Sequence, residues 1–406
     1  MGIVVQKFGG TSLADAAKIN RAARRAIRAK LDGHKVVMVV SAMGKTTDTL
    51  VGLAGEISPH PPKREMDMLL TTGEQISIAL MAMAIHEAGH DAISFTGGQI
   101  GMITDATHSK ARIKQIDADR VMGQLELGRI VIVAGFQGIT EQGAITTLGR
   151  GGSDTTAVAL AAVLRATSCE IYTDVDGVYT TDPRVVPQAR KIDHIGYDEM
   201  LELASLGAGV MHSRAIEFGK KYDVTIHVRS SLTDAPGTLI LPETPDMEAI
   251  VVRGATLKKD LARVVMTGVL NEPGVAAKIF ARISQHNIMV DDIIQNIYQE
   301  ENVANIGFTT STPDAMEAKA VCEEMGRELD FKGVELDEHV AKVSVVGIGM
   351  KSHTGVASKM FGALADAKVN IQNISTSEIV ISVIVSDSDA ERALQVVHAA
   401  FDLDKE

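Results

Sequence analysis

The feature that most restricts the possible folds is an internal repeat in the last third of the chain. Arg263–Phe280 aligns with Lys342–Phe361, pairing Gly268 with Gly347, Gly274 with Gly355, Lys278 with Lys359 and Phe280 with Phe361. The offset grows from 79 to 81 residues, so the second copy carries an insertion in its first loop. Each copy continues into a second strand-like segment, NIMVDDIIQN and VNIQNISTSE, then a third strand and a helix. That is the β-α-β-β-α-β order of a ferredoxin-like unit. The copies are unequal. The first has a fourth strand candidate at Gly333–Leu336, whereas the second reaches its last helix and stops. A spare strand-like segment, Ala249–Thr256, could complete the second copy and leave the first inserted within it. The expected boundaries are 263–337 for the first unit and 248–257 with 342–406 for the second.

The preceding 241 residues have a different rhythm. Strand candidates at Ile3–Lys7, Lys35–Ser41, Ala92–Thr96, Arg129–Phe136, Glu170–Thr173 and Val224–Val228 alternate with helical stretches. Those are Asp15–Lys30, Arg64–Glu87, Asp117–Leu127, Thr155–Leu164 and a pair across Tyr197–Lys221. Such alternation predicts an α/β domain with a mainly parallel sheet. Leu69, Ile76, Leu80 and Met83 follow helical spacing and are the expected core face of the long helix. Residues 242–247, rich in proline and acids, read as a linker. A length of 406 residues with 45% hydrophobic and 23% charged residues suits two or three globular domains. The uninterrupted apolar runs are too short to span a bilayer. A net charge of −12 with 3% aromatic residues and no Trp argues against a nucleic-acid surface. The beginning MGIVVQKFGG reads as a strand and not an export signal, and two distant cysteines, Cys169 and Cys322, suit a reducing compartment. A cytoplasmic protein, bound to neither membrane nor nucleic acid, is expected.

Two local motifs mislead. His86-Glu87-Ala88-Gly89-His90 matches a zinc pattern, but Gly89 and Asp91 end the helix and no acidic third ligand follows closely. Gly44-Lys45-Thr46 would need an earlier glycine where Val39 sits inside a strand, so the Walker reading fails. The informative motif is Lys7-Phe8-Gly9-Gly10-Thr11-Ser12, between the first strand and the first helix. Adjacent glycines admit phosphate oxygens to backbone N–H groups, the helix start adds its dipole, and Lys7 adds a charge. Ser41–Asp48 leaves the second strand with hydroxyls at its tip, and Thr147–Thr156 opens a helix with an arginine, a glycine nest and a carboxylate. Tyr172–Arg184 follows a strand with polar groups suited to a nucleotide.

These four motifs, in this order and spread over the chain, resemble those of the aspartate kinases (aspartokinases) of the amino-acid kinase superfamily, which carry two C-terminal ACT domains. The resemblance implies an ATP-dependent phosphotransferase that converts L-aspartate to 4-phospho-L-aspartate, the entry to lysine, threonine and methionine synthesis. It implies that Lys7 and Asp154 are catalytic, and that Ser41, Thr47, Glu74 in a Thr72–Gln75 turn, Arg150, Gly151, Gly152 and Ser153 hold aspartate. Lys7, Gly9, Gly10, Ser12, Thr173, Asp174, Tyr179, Arg184 and Gly209 would hold ATP, brought as its Mg²⁺ complex, with no protein-bound metal. Gly209 stands where some relatives have a lysine; Arg184, or Lys220 or Lys221, would compensate.

For the repeats the resemblance implies effector binding by lysine, with threonine a further candidate. Gly274, Asp291, Asp292 and Gln295 in one copy and Gly355, Asn370 and Ile371 in the other are the candidates. Thr354 replaces a proline frequent in relatives. A homo-oligomer is expected, or an assembly with a shorter regulatory subunit starting near Met247. The residue types suit the chemistry: an α-ammonium pairs with Glu74, an α-carboxylate with the planar fork of Arg150. The attacking carboxylate is already ionised at neutral pH and needs no general base. The rival readings are a kinase for glutamate or N-acetylglutamate, and a sensor without catalysis.

Overall fold

The structure is a computed structural model and describes residues 2–242, 251–298 and 302–405. It falls into two units. In the first the chain runs β1 (Ile3–Phe8), α1 (Ala16–Leu31), β2 (Lys35–Val40), α2 (Thr46–Ile57), α3 (Lys63–Glu87), β3 (Ala92–Phe95), β4 (Ile103–Thr104), β5 (Ile113–Gln115), α4 (Asp119–Glu126), β6 (Ile130–Ala134), β7 (Gln137–Ile139), β8 (Ile145–Thr147), α5 (Gly152–Val163) and β9 (Ser168–Thr173). It continues through β10 (Val178–Tyr179), β11 (Lys191–Ile192), β12 (His194–Gly196), α6 (Tyr197–Ser205), α7 (Ser213–Tyr222), β13 (Ile226–Ser230) and β14 (Thr238–Leu241).

An eight-stranded sheet of order β12-β14-β13-β9-β1-β2-β6-β3 carries this unit. Its pairs are parallel except β13 with β14. Strands buried on both faces need no alternation, and β2 reads KVVMVV for that reason. Phe8, Val36, Met38, Val40, Ile130 and Ile132 pack with α1 and α3. Because β2 and β9 flank β1, successive strands leave β1 in opposite directions. The crevice at the carboxyl end of β1 is where such sheets bind ligands. A second, four-stranded sheet, β5-β4-β7-β8, lies outside the parallel pattern; its strands are two or three residues long and gave no periodic signal. Helix α2 was likewise missed; none of its residues is buried, so it has no apolar face to register.

The long helix corrects one expectation. Ile76, Leu80 and Met83, read as core, are exposed, and Leu69 is half-buried. The inward face of α3 instead carries Asp67, Thr71, Glu74 and Ser77, with Ile78, Met81 and Ile85 lower down. By length and composition α3 could cross a membrane, the one such helix among the described residues. Its inward polar groups and its place in the sheet's core cluster mark it as a core helix.

In the second unit follow β15 (Gly254–Lys258), β16 (Ala262–Leu270), α8 (Val275–Gln285), β17 (Asp291–Tyr298), β18 (Val303–Thr310), α9 (Ala315–Leu329), β19 (Gly333–Asp337), β20 (Val340–Val346), α10 (Val356–Asp366), β21 (Asn373–Thr376), β22 (Val380–Ser386) and α11 (Ala390–Ala400). Two antiparallel sheets result, β17-β18-β16-β19 and β15-β20-β22-β21. The second repeat thus takes its edge strand β15 from the segment ahead of the first repeat. Each repeat has its own core, one around Ile279, Phe308 and Met325, the other around Val343, Met360 and Leu394.

The division does not fall at one point of the chain. Thr180–Arg190 and Leu206–Ala208 belong to the second unit. Val185 and Val186 join the core of the second repeat, Ala255 N–H donates to Thr180 O, and Thr180 Oγ1 shares a 3.0 Å hydrogen bond with His398 Nε2. Of residues 242–247 only Pro242 is described; the proposed start at Met247 lies outside the described residues.

Candidate active site

A cavity of about 490 Å³ opens at the carboxyl end of β1. One end is lined by Lys7, Gly9 and Gly10 with Ser41, Ala42 and Thr47. The other is lined by Glu74, Thr147 and Arg150 through Asp154. All the residues expected to be catalytic or to hold aspartate therefore meet in one place, brought there by β1, the tip of β2, α2, α3 and the loop that opens α5. Lys7 is the penultimate residue of the central strand, in register with Val39 on β2 and Ile171 on β9. Its ammonium lies 2.6 Å from Asp154 Oδ1, with both side chains about nine-tenths buried. Lys7 is thus part of a semi-buried ion pair at a strand end.

Backbone shape makes the rest of the cavity. A Cβ at Gly10 would come within 2.7 Å of Ala42 O, so the turn after β1 can lie against the tip of β2 only as glycine. Gly151, at φ +66°, precedes α5, and a Cβ there would strike His212. Helix α5 then starts at Gly152 and aims its positive end into the cavity with Ser153 and Asp154 in its first turn.

Glu74 lies in the middle of α3, not in a turn. It is 3% exposed; Oε1 accepts from Ala42 N–H at 3.1 Å, while Oε2, also buried, has no hydrogen-bond partner among the described residues. Burial raises its pKa to about 7, against the pull of the Ala42 N–H. A buried carboxylate with half its capacity unused, in a ligand-sized cavity, is a receptor for a cation.

The residues expected around the nucleotide are more dispersed. Ser12 Oγ donates to Ser231 Oγ at 2.8 Å, which ties the phosphate turn to the segment after β13. Thr173 Oγ1 donates to Asp174, and Tyr179 Oη donates to Asp176 at 2.8 Å. Arg184 pairs with Asp182 at 2.7 Å and belongs to the second unit. Gly209 is exposed, and Lys220 pairs with Asp198 at 2.5 Å. None of these lines the cavity. Ser231 was missed by the sequence reading, although its place just after a parallel strand is the position that such sheets use for ligands. His86 and His90 straddle the end of α3, where Gly89 has φ +80°, so they do not stand one turn apart on a helix.

In the second unit Gly274 and Gly355 hold equivalent places, each preceding a helix at φ +94° and +89°. Asp291 and Asp292 are already engaged: Lys342 Nζ, on a 2% exposed side chain, lies 2.8 Å from Asp291 Oδ2 and also contacts Asp292. Ser375 Oγ donates to Asp292 at 3.0 Å. Despite the pull of burial, Lys342 holds Asp291 below the usual carboxylate range. Gln295 reaches Asn271 at 3.4 Å, Asn370 is exposed, and Ile371 packs on the second repeat's core.

The fold and the cavity together define a kinase of small amino acids joined to paired ferredoxin-like repeats. The family model described as the amino acid kinase family matches residues 2–230, and an ACT domain model matches residues 343–401. The chain is 53% identical to Aspartokinase 2 of Bacillus subtilis, covering 100% of this chain and 99% of that one, and 49% identical to an aspartate kinase of Pseudomonas putida over 100% and 98%. The crystal structure of E. coli aspartokinase III in complex with aspartate and ADP superposes with a TM-score of 0.84 at 29% identity, covering 98% of this chain and 99% of that one. The same enzyme with lysine and aspartate gives 0.78 at 28% identity, with the same coverage. The chain belongs to the aspartate kinases of the amino acid kinase family.

Proposed function

We propose that the cavity transfers the γ-phosphoryl group of ATP to the side-chain carboxylate of L-aspartate, giving 4-phospho-L-aspartate. The observation that carries this is the charge order across one cavity: an unfilled carboxylate at Glu74, the Arg150 side chain at a helix N-terminus, and the Lys7–Asp154 pair beside a glycine turn. Glu74 takes the substrate ammonium and Arg150 its α-carboxylate, leaving the β-carboxylate to face Lys7. ATP enters as its magnesium complex with its phosphates over Gly9 and Gly10. Two anions must then approach, and Lys7 with the α5 N-terminus offsets their repulsion, while Asp154 holds the Lys7 ammonium in line. No group has to remove a proton, because the nucleophile is already ionised. An acetylated amine would leave Glu74 a buried, unpaired charge, which disfavours N-acetylglutamate.

The direct test is ADP release with aspartate, glutamate and N-acetylglutamate offered separately. Turnover with aspartate alone is expected; preference for either other acid would reassign the site.

Regulation belongs to the paired repeats, in cytoplasmic enzyme, with lysine as effector and threonine as a second candidate. Asp291, with its side chain 61% exposed, is the acid open to an effector ammonium, whereas Asp292 is sealed at 9%. An effector there shares Asp291 with Lys342. Lysine titrated against wild type and Asp291→Ala should inhibit only the former, and equal inhibition of both would move the effector elsewhere.

A further inference from the structure

Asp67 is fully buried in the second turn of α3, lines no part of the cavity, and accepts hydrogen bonds from three residues on two other segments. Its carboxylate accepts from His108 Nδ1 at 2.7 Å, from Thr147 Oγ1 at 2.6 Å, and from Ser109 N–H through both oxygens at 3.1 Å. Thr147 and Ser109 do line the cavity. Ser109 sits at φ +70°, a left-handed conformation costly for a residue with a side chain, and Asp67 grips the N–H of that residue. The strained turn backs the arginine loop directly, since Ser109 O lies 2.9 Å from where a Cβ of Gly149 would be.

A second, half-buried group closes the same two segments from another side. Arg214 on α7 donates to Leu148 O at 3.1 Å and to Ala111 O at 3.0 Å, and Ala111 N–H donates to Thr147 O at 2.9 Å. The 108–111 and 147–148 segments are therefore pinned to each other by Arg214 and to α3 by Asp67. Glu74 lies seven positions after Asp67, two helical turns on one face. Whatever fixes Asp67 to Thr147 also fixes the gap between Glu74 and the loop that presents Arg150.

We infer that Asp67 is a positioning residue for substrate recognition: through Thr147 and Ser109 it sets the spacing of Glu74 and Arg150, and so discriminates aspartate from the acid one methylene longer. This rests on the aspartate kinase reading of the cavity. A dimension error of about 1 Å in such a frame costs on the order of a hundredfold, and a methylene is worth about 10- to 200-fold in discrimination.

The experiment compares wild type, Asp67→Asn, Thr147→Val and Thr147→Ser for turnover with aspartate and with glutamate, and for ADP affinity by calorimetry. Wild type must first turn over aspartate; if it does not, the functional reading fails, whatever the variants do. Given that activity, Asp67→Asn and Thr147→Val should raise KM for aspartate by about 10- to 100-fold and narrow the aspartate-to-glutamate ratio of kcat/KM. ADP affinity should stay within about twofold, and Thr147→Ser, which keeps the hydroxyl, should restore wild-type values. Unchanged aspartate KM and ratio in both variants, or parallel loss of aspartate and ADP binding, would reduce Asp67 to a structural residue and overturn the inference.

Discussion

The cavity of the first unit and the cluster between the two repeats both set a lysine ammonium against carboxylates, but they differ in how much bonding capacity is left over. Around Lys342 the ammonium is 2% exposed, meets two aspartates, and one of these also accepts from Ser375. Around Lys7 there is one aspartate, and nearby Glu74 keeps an oxygen with no partner among the described residues. A cluster in which each carboxylate meets the ammonium joins one strand to another and resists change; a buried carboxylate oxygen that meets neither a cation nor a hydrogen-bond donor waits for the groups of a ligand. Burial alone therefore does not identify a functional charge. Unspent hydrogen-bonding capacity inside a cavity does.

The largest effect is expected at Lys7. Lys7→Ala should lower kcat by about a thousandfold, since under the proposed function it removes the cation facing the transferred group. It should also cost about 1–3 kcal/mol of stability by leaving Asp154 buried without its counter-ion. Steady-state kinetics with urea denaturation checks both, and wild-type turnover would break the cavity side of the comparison. Lys342→Met should show the reverse profile, a loss of about 3 kcal/mol from the second unit with near-normal turnover in the absence of effector. Adding Asp292→Asn to Lys342→Met should recover part of that loss, because fewer buried charges stay unpaired. If Lys342→Met unfolds no sooner than wild type, the cluster is not the cross-link described.

The smallest effect sharpens the contrast through pH. Glu74 rises from 4.5 to about 7 through burial, so below that pH it is protonated and, under the proposed function, offers no charge to the substrate ammonium. Aspartate kcat/KM should then rise with pH up to about 7 and level off above it, by up to tenfold per pH unit on the acid side. Glu74→Gln should flatten this limb and weaken aspartate at every pH. The ligand-free protein carries the matching stability term. The folded state binds the proton more tightly, so the stabilisation is complete below 4.5 and is lost as pH rises through about 7. Aspartate in the cavity should reduce that loss.

The sequence by itself determined the parallel sheet, the repeat with its borrowed strand, and the residues that meet in the cavity. Those features are local: strand–glycine–helix junctions specify their own geometry, and the motifs carrying Lys7, Ser41 and Arg150 all leave strands or enter helices at the same edge of one sheet. Periodicity says which residues share a helix face but not what that face meets. On α3 it pointed to Ile76, Leu80 and Met83, although the inner face meets a polar cavity and holds Asp67, Thr71, Glu74 and Ser77. The bonds from Asp67 to residues 42 and 80 positions away, and the attachment of Thr180–Arg190 to the second unit, were decided only by tertiary structure. Their partners are chosen by burial, which leaves a polar group no water to bond and makes whichever donor the fold brings near worth keeping.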